Sequence, residues 1–328
     1  MTLAPGPPMP RKLILDVDTG TDDAIAVMLA ALHPELDLVG CTTVNGNVEV
    51  QHCTENTLRV LDHIGRGDVP VHEGLAKPFA RPDFPIPRKD ETLARRIHPA
   101  VLPVPPTRRR KADKGAVEFL IESYRAATDP IALVPVGPLT NVAAAITLDP
   151  GFAARVPEVV IMGGGHAIGN ITPAAEFNIW CDPEAAAVVF AAGFASMTLV
   201  PLDATHRALI SKAHCARLAA LGTPAGDAAA ACIGHRIEVH DAIQRMDVPG
   251  TAPVHDALCV GFLIDPSLLA TRRLHVAVET CGALTVGRTV IDTHHRGGEA
   301  PNCDVAFDAD AERFAELLIA TFARRAGA

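Results

Sequence analysis

Apolar positions follow two rhythms along this chain. Short unbroken apolar runs recur at 13–15, 38–44, 131–136, 159–162 and 197–202. Between them lie longer segments, 21–32, 49–64, 115–127, 139–147 and 183–192, whose apolar residues return every three to four positions. The short runs predict strands covered on both faces, and the longer segments predict helices with one apolar face. His33-Pro34 closes the first helix, because the residue before a proline is pushed out of helical geometry. Alternation of this kind builds βαβ units and a parallel sheet.

The pattern changes after residue 210. Helices are predicted over 211–221, 226–243 and 254–264, and two antiparallel strands in 274–291 around Gly282. An edge strand is expected over 304–307 and a last helix over 311–323. The whole predicts an α/β fold: an open, mostly parallel, doubly wound sheet with an added helical cap segment and a small antiparallel portion near the C-terminus. Without an internal repeat or linker, residues 11–328 form one expected domain. Residues 1–10 hold four prolines and one glycine. They predict a disordered tail, and they lack the charged start and apolar stretch of a secretory signal. Residues 78–106 are rich in Pro, Arg, Lys and Asp with little periodicity, as expected of a functional loop or lid.

Composition narrows the function classes. The 328 residues carry a net charge of -9, and the one basic run is Arg108-Arg109-Arg110-Lys111. Phosphate backbones need clustered cations, so no nucleic acid is expected as partner. No stretch reaches the length of apolar chain that spans a bilayer, so no membrane is expected either. The eight cysteines include no C-x-x-C pair, and several sit in apolar runs such as 257–260. They predict buried free thiols in a reducing cytoplasm.

The chemistry concentrates in Asp16-Val17-Asp18-Thr19-Gly20-Thr21-Asp22-Asp23, four carboxylates in eight residues at the end of the first strand. Open α/β sheets bind ligands at that edge. Carboxylates so crowded repel one another unless a cation joins them, and hard oxygens suit Ca²⁺ or Mg²⁺. A helix cap would need only one such acid. An EF-hand loop starting at Asp16 fails, because Thr21 stands at its sixth position and Val27 at its twelfth. A strand followed by D-x-D also resembles haloacid dehalogenase-like, Mg-dependent phosphatases, with Asp16 as nucleophile. Gly20, however, stands where that family has Thr or Val.

The run Asp16 to Asp23 resembles the D-x-D-x-G-x-D-D signature of inosine-uridine nucleoside hydrolases. Further stretches resemble that family in the same order: Thr42 to Asn47, Val134 to Asn141, Met162 to Gly165, Ala175 to Ala185, and Val254-His255-Asp256-Ala257. Together they span nearly the whole chain. The resemblance implies Ca²⁺-dependent hydrolysis of the N-glycosidic bond of ribonucleosides. It implies metal ligation by Asp18, Asp23 and Asp256 through carboxylates and by Val136 through its carbonyl. Asp22 and Asn47 would hold the 2′- and 3′-hydroxyls of the ribose. Asn170, Glu176 and Asn178 would hold the 5′-hydroxyl, and Glu176-x-Asn178 on an extended segment would point both side chains one way. Asp18 would activate a calcium-bound water for attack at C1′ through an oxocarbenium-like transition state. His255 would serve as the acid near the departing base, and Asp16 would orient the other carboxylates. A homodimer or homotetramer, acting in nucleoside salvage, is also implied.

The sequence departs from the family where many members have His-Gly after the second helix. Here the region runs Arg95-Arg96-Ile97-His98-Pro99-Ala100, so His98 is not counted as catalytic. His240 and Asp241 are expected either to reach the base pocket or to lie on a solvated helix face, and His294-His295 receive no role. A nucleoside-binding protein without catalysis is the remaining alternative, which the complete carboxylate set opposes.

Overall fold

The chain was analysed as a computed structural model that describes residues 9–82 and 97–324. Most of the proline-rich tail, the middle of the 78–106 segment with Arg95 and Arg96, and residues 325–328 lie outside the described residues.

The first two-thirds of the chain alternates as its apolar rhythm predicts. β1 (Arg11–Val17), α1 (Thr21–Leu32), β2 (Leu36–Thr43), α2 (Val50–His63) and β3 (Val71–Glu73) come first. They are followed by α3 (Ala116–Ala126), β4 (Ile131–Pro135), α4 (Thr140–Leu148), the single turn α5 (Phe152–Arg155) and β5 (Glu158–Met162). Next are α6 (Phe177–Cys181), α7 (Pro183–Ala191), β6 (Met197–Val200) and α8 (Leu202–Thr205). The strand expected to reach residue 202 therefore ends at Val200, where Pro201 opens a helical turn.

The last third holds β7 (Leu209–Ser211), α9 (Lys212–Ala219), α10 (Pro224–Ala242), β8 (Thr251–Pro253) and α11 (His255–Ile264). β9 (Leu269–Leu274), β10 (Val276–Val278), β11 (Thr289–Ile291), β12 (Cys303–Ala309) and α12 (Ala311–Phe322) complete the described elements.

The main sheet has eight strands in the order β3-β2-β1-β4-β5-β6-β12-β9. All its pairs are parallel except β12 with β9. Residues 304–307, expected at an edge, instead lie inside the sheet; the edge is β9, whose Arg272 and Arg273 face solvent. β10 and β11 form the antiparallel pair expected around Gly282, and β7 pairs with β8 in a second ribbon that short runs of three residues did not reveal.

Successive strand residues feed opposite cores. Leu13, Leu15 and Val17 pack with α1, α10 and α11 on one face, and Ile14 packs with α3, α4 and α7 on the other. That double burial explains why the strands are unbroken apolar runs. Six cysteines are buried as expected, but Cys215 is half-buried and Cys281 is exposed. None of the described helices is long and apolar enough to cross a membrane.

The order of strands also fixes where a site belongs. The chain leaves β1 toward β2 on one side and returns to β4 on the other, so the carboxyl ends of β1, β2 and β4 open onto a topological switch point.

Candidate active site

The acidic run lies at that switch point. Asp16 is the penultimate residue of β1, at its carboxyl end, and Gly20 lets the chain turn into α1. The Gly20 N–H donates to Asp23 Oδ2 at 2.9 Å and the Asp18 N–H donates to Asp23 Oδ1 at 3.0 Å. Asp23 thus fastens the turn while keeping both oxygens at its centre. Asp18 Oδ2 accepts from the Asn47 N–H at 2.6 Å, in the turn after β2. That approach requires Gly46, because a Cβ there would overlap the Asp18 carboxylate.

Asp16, Asp18, Asp22, Asp23 and Asp256 are all buried. Burial, then mutual repulsion, pushes Asp18 and Asp256 well above the usual carboxylate range and Asp23 up to about 6. Oxygens of Asp22, Asp23 and Asp256 lie within 4.8 Å of one another. This donor set of buried, hard, mutually repelling oxygens fits a divalent cation. Asp18 adjoins the group through Asp23. The carbonyl of Val136, one residue past β4, accepts from Asn178 Nδ2 at 2.7 Å, with its second lone pair left for another partner.

Asp16 stands apart. Its Oδ1 accepts from Thr42 Oγ1 at 2.6 Å and from Asn141 Nδ2 at 2.8 Å, joining β2 and α4 to β1. It has no solvent exposure and is not among the residues lining the cavity at this edge, which leaves a phosphatase nucleophile at this position without access.

One cavity of about 100 Å³ is lined by Asp18, Asp22, Asn47, Val136, Asn170, Glu176, Asn178, His255 and Asp256. Every residue expected to act on the substrate or to hold the metal therefore lines it except Asp23, whose carboxylate lies within 4.8 Å of those of Asp22 and Asp256. The segment carrying Glu176 and Asn178 is not extended, however. It enters the short helix α6, and Glu176 is its cap. Glu176 accepts from the N–H groups of Asn178 at 3.0 Å and Gly164 at 2.8 Å, and Gly164 has φ +70°, a conformation that favours glycine. Burial raises this carboxyl to about 7. Asn170 Oδ1 accepts from the Phe177 N–H at 2.9 Å, which steadies the same turn.

The same cavity is also lined by Ile97, His98, Arg236, His240 and Gln244. His98 Nδ1 accepts from the Thr21 N–H at 3.3 Å, so Pro99 does not keep this histidine out of the site. Asp241 faces away, pairing with Lys212 and the Gly250 N–H, and His294 and His295 occupy an exposed turn. His255 Nδ1 lies 2.7 Å from Thr205 Oγ1, closer than the 3.4 Å from that hydroxyl to Leu202 O. The shorter contact favours the hydroxyl donating to Nδ1, which leaves the ring proton on Nε2. Burial, with Arg236 nearby, holds His255 well below the usual histidine range and takes His98 down to about 3, so both rings are neutral near pH 7.

Arg236 is the residue that the sequence analysis missed. It is 2% exposed, pairs with Asp22 Oδ1 at 2.9 Å, and donates to Thr21 Oγ1 at 3.1 Å and Pro253 O at 3.0 Å. The signal was its place on the buried stripe Ala229, Cys232, Arg236, His240 of α10, at helical spacing. Removing one partner of a buried pair leaves the other charge uncompensated. Arg236→Met is therefore expected to lower stability by about 3–5 kcal/mol in denaturant titration and to raise KM for a nucleoside.

A family model for inosine-uridine preferring nucleoside hydrolases matches residues 13–316. The pyrimidine-specific ribonucleoside hydrolase RihA of Shewanella sp. (strain MR-7) is 37% identical over 324 residues, 96% of this chain and 97% of that protein. The pyrimidine-specific ribonucleoside hydrolase RihB of Escherichia coli (strain SE11) is 36% identical over 312 residues, covering 94% and 96% of the two chains. Among solved structures, a purine-preferring ribonucleoside hydrolase from Gardnerella vaginalis superposes with a TM-score of 0.86 at 30% identity, over 95% of this chain and 98% of that one.

Proposed function

The chain belongs to the inosine-uridine preferring nucleoside hydrolase family, and from that premise we propose that it cleaves the N-glycosidic bond of ribonucleosides with water, releasing ribose and the free base, in a calcium-dependent reaction. The observation that carries this reading is the gathering of nine expected residues, from six separate stretches of chain, around one cavity.

Asp18, Asp23, Asp256 and the Val136 carbonyl would hold the cation, and Asp22, which the closest carboxylate trio includes, would share its charge. Calcium there supplies positive charge that acidifies water and orients a diol. Asp18 takes a proton from the attacking water, and its desolvated carboxylate is a stronger base than an exposed one. Asp22, held still by Arg236, accepts hydrogen bonds from the ribose diol together with Asn47. Asn170, Glu176 and Asn178 bind the 5′ end, so that binding energy at a distance favours the flattened ring of the oxocarbenium-like transition state. His255, neutral with its proton on Nε2, donates toward the departing base.

The matched relatives include pyrimidine-specific and purine-preferring enzymes, so likeness does not choose the base. Family resemblance further supports a homodimer or homotetramer acting in cytoplasmic nucleoside salvage. Reducing sugar released from uridine or inosine with calcium present is the expected result. Absence of release from both, or hydrolysis of p-nitrophenyl phosphate in their place, would overturn the reading.

A further inference from the structure

The cavity wall contains a polar atom that the reaction above does not use. His240, on the buried stripe of α10, is 2% exposed. Its Nδ1 lies 3.0 Å from the backbone carbonyl of Gln244. A carbonyl can only accept, so Nδ1 carries the proton and Nε2 is left as a bare acceptor. Among the described residues Nε2 has no hydrogen-bond partner, and solvent does not reach it. Burial, reinforced by Arg236, lowers this ring to about 4, which keeps it neutral near pH 7. His98 is locked the other way, since its Nδ1 accepts from the Thr21 N–H and its proton sits on Nε2. Both rings line the same cavity beside Arg236 and Asp22, and with the ribose diol held on Asp22 the base attached at C1′ lies next to that diol.

We propose that His240 Nε2 is a specificity-determining acceptor that takes a hydrogen bond from a ring or amino N–H on the Watson–Crick edge of the nucleobase. The inference rests on the nucleoside hydrolase reading and names the part of the substrate that this part of the site reads. A buried acceptor left unpaired is costly, and a ligand N–H removes that cost. A base that cannot donate pays it instead, which is how a polar pocket rejects an analogue lacking one group. Solvent does not reach Nε2, so a base N–H meets it only where a lining side chain gives way. Gln244, half-buried two residues past the end of α10, lines the cavity beside it. The locked tautomer also separates His240 from the leaving-group role, since its bare nitrogen has no proton to give.

The test compares uridine with 3-methyluridine, which differ by one N–H replaced with N–CH₃. For the parent protein with calcium, kcat/KM should favour uridine by about 10- to 100-fold. In His240→Leu that ratio should collapse toward one through loss on uridine. In His240→Asn, whose side-chain oxygen can accept, part of the ratio should return. Thermal midpoints of both variants report folding independently of turnover, and the Asn variant carries the comparison if the Leu variant does not fold. A methyl penalty that survives unchanged in a folded variant overturns the role of His240, as does a parent enzyme indifferent to the methyl group. Failure of the parent to cleave uridine and inosine at all would instead sink the underlying reading.

Discussion

Asp18→Asn is expected to lower kcat on a nucleoside by about 10³–10⁴-fold, while the calcium-free protein becomes no less stable and melts at the same or a higher temperature. The substitution keeps the shape of the side chain but removes its basicity. General-base catalysis alone is worth about 10²–10⁴-fold, and one ligand charge for the cation goes with it. The stability side has the opposite sign. Asp18 is buried beside Asp23, with Asp22 and Asp256 close enough to raise its pKa further. Neutralising one member of that group relieves repulsion that Arg236 and the backbone N–H groups of Gly20, Asp18 and Asn47 offset only in part. The Asn47 N–H that donates to Oδ2 can still donate to an amide oxygen. The position is thus one where function and stability pull apart. Asp16→Asn offers the contrast. Its carboxylate ties Thr42 and Asn141 together away from the cavity, so loss of activity there should be smaller and accompanied by loss of stability. Steady-state kinetics and melting in chelator check both variants. An Asp18→Asn protein with more than a tenth of parental kcat would rule out Asp18 as the base.

Much of this architecture was legible in the chain because both its signals were local. Buried parallel strands are unbroken apolar runs, so β1, β2, β4 and β5 showed within one or two residues of their bounds, and α1 is bounded by Thr21 and by the His33-Pro34 stop. The carboxylates were legible because charge crowding is visible in eight consecutive residues. What the sequence did not show depends on partners far along the chain. β7 and β8 are three residues each and exist by pairing with one another. Residues 304–307 were expected at an edge, yet β9 pairs with their strand and takes the edge position. Glu176-x-Asn178 looked extended, but the Glu176 side chain caps α6 by accepting from Asn178 and Ile179 N–H groups, and that capping decides the local geometry. Arg236 went unnoticed for the same reason. A charged residue on an apolar helical stripe has meaning only once Asp22, 214 positions earlier, is known to lie opposite.

Chelation is expected to abolish nucleoside cleavage and also to make stability pH-dependent in a direction opposite to that of ordinary surface carboxylates. In the metal-free chain, burial raises Asp16 and Glu176 to about 7 and Asp23 to about 6, whereas unfolded carboxyls titrate near the usual value of about 4. Between those limits the folded chain binds more protons than the unfolded one. Stability therefore falls as pH rises. The contribution of these groups is fully present below about pH 4 and is lost as pH climbs through 6 to 7. A cation reverses the trend, because it binds the deprotonated carboxylates and competes with protons for them. Saturating calcium should raise the melting temperature on the order of 5–10 °C at pH 8 and far less at pH 5. The size of that shift reports binding whether or not turnover is measured. An equal shift at both pH values would mean that calcium binds away from the titrating cluster. Unaltered cleavage in excess chelator would remove the metal from the reaction. If both results come out as expected, the four buried aspartates Asp18, Asp22, Asp23 and Asp256 are a cost to the metal-free fold that the bound cation offsets, which is why they are tolerated together between the end of β1 and the start of α11.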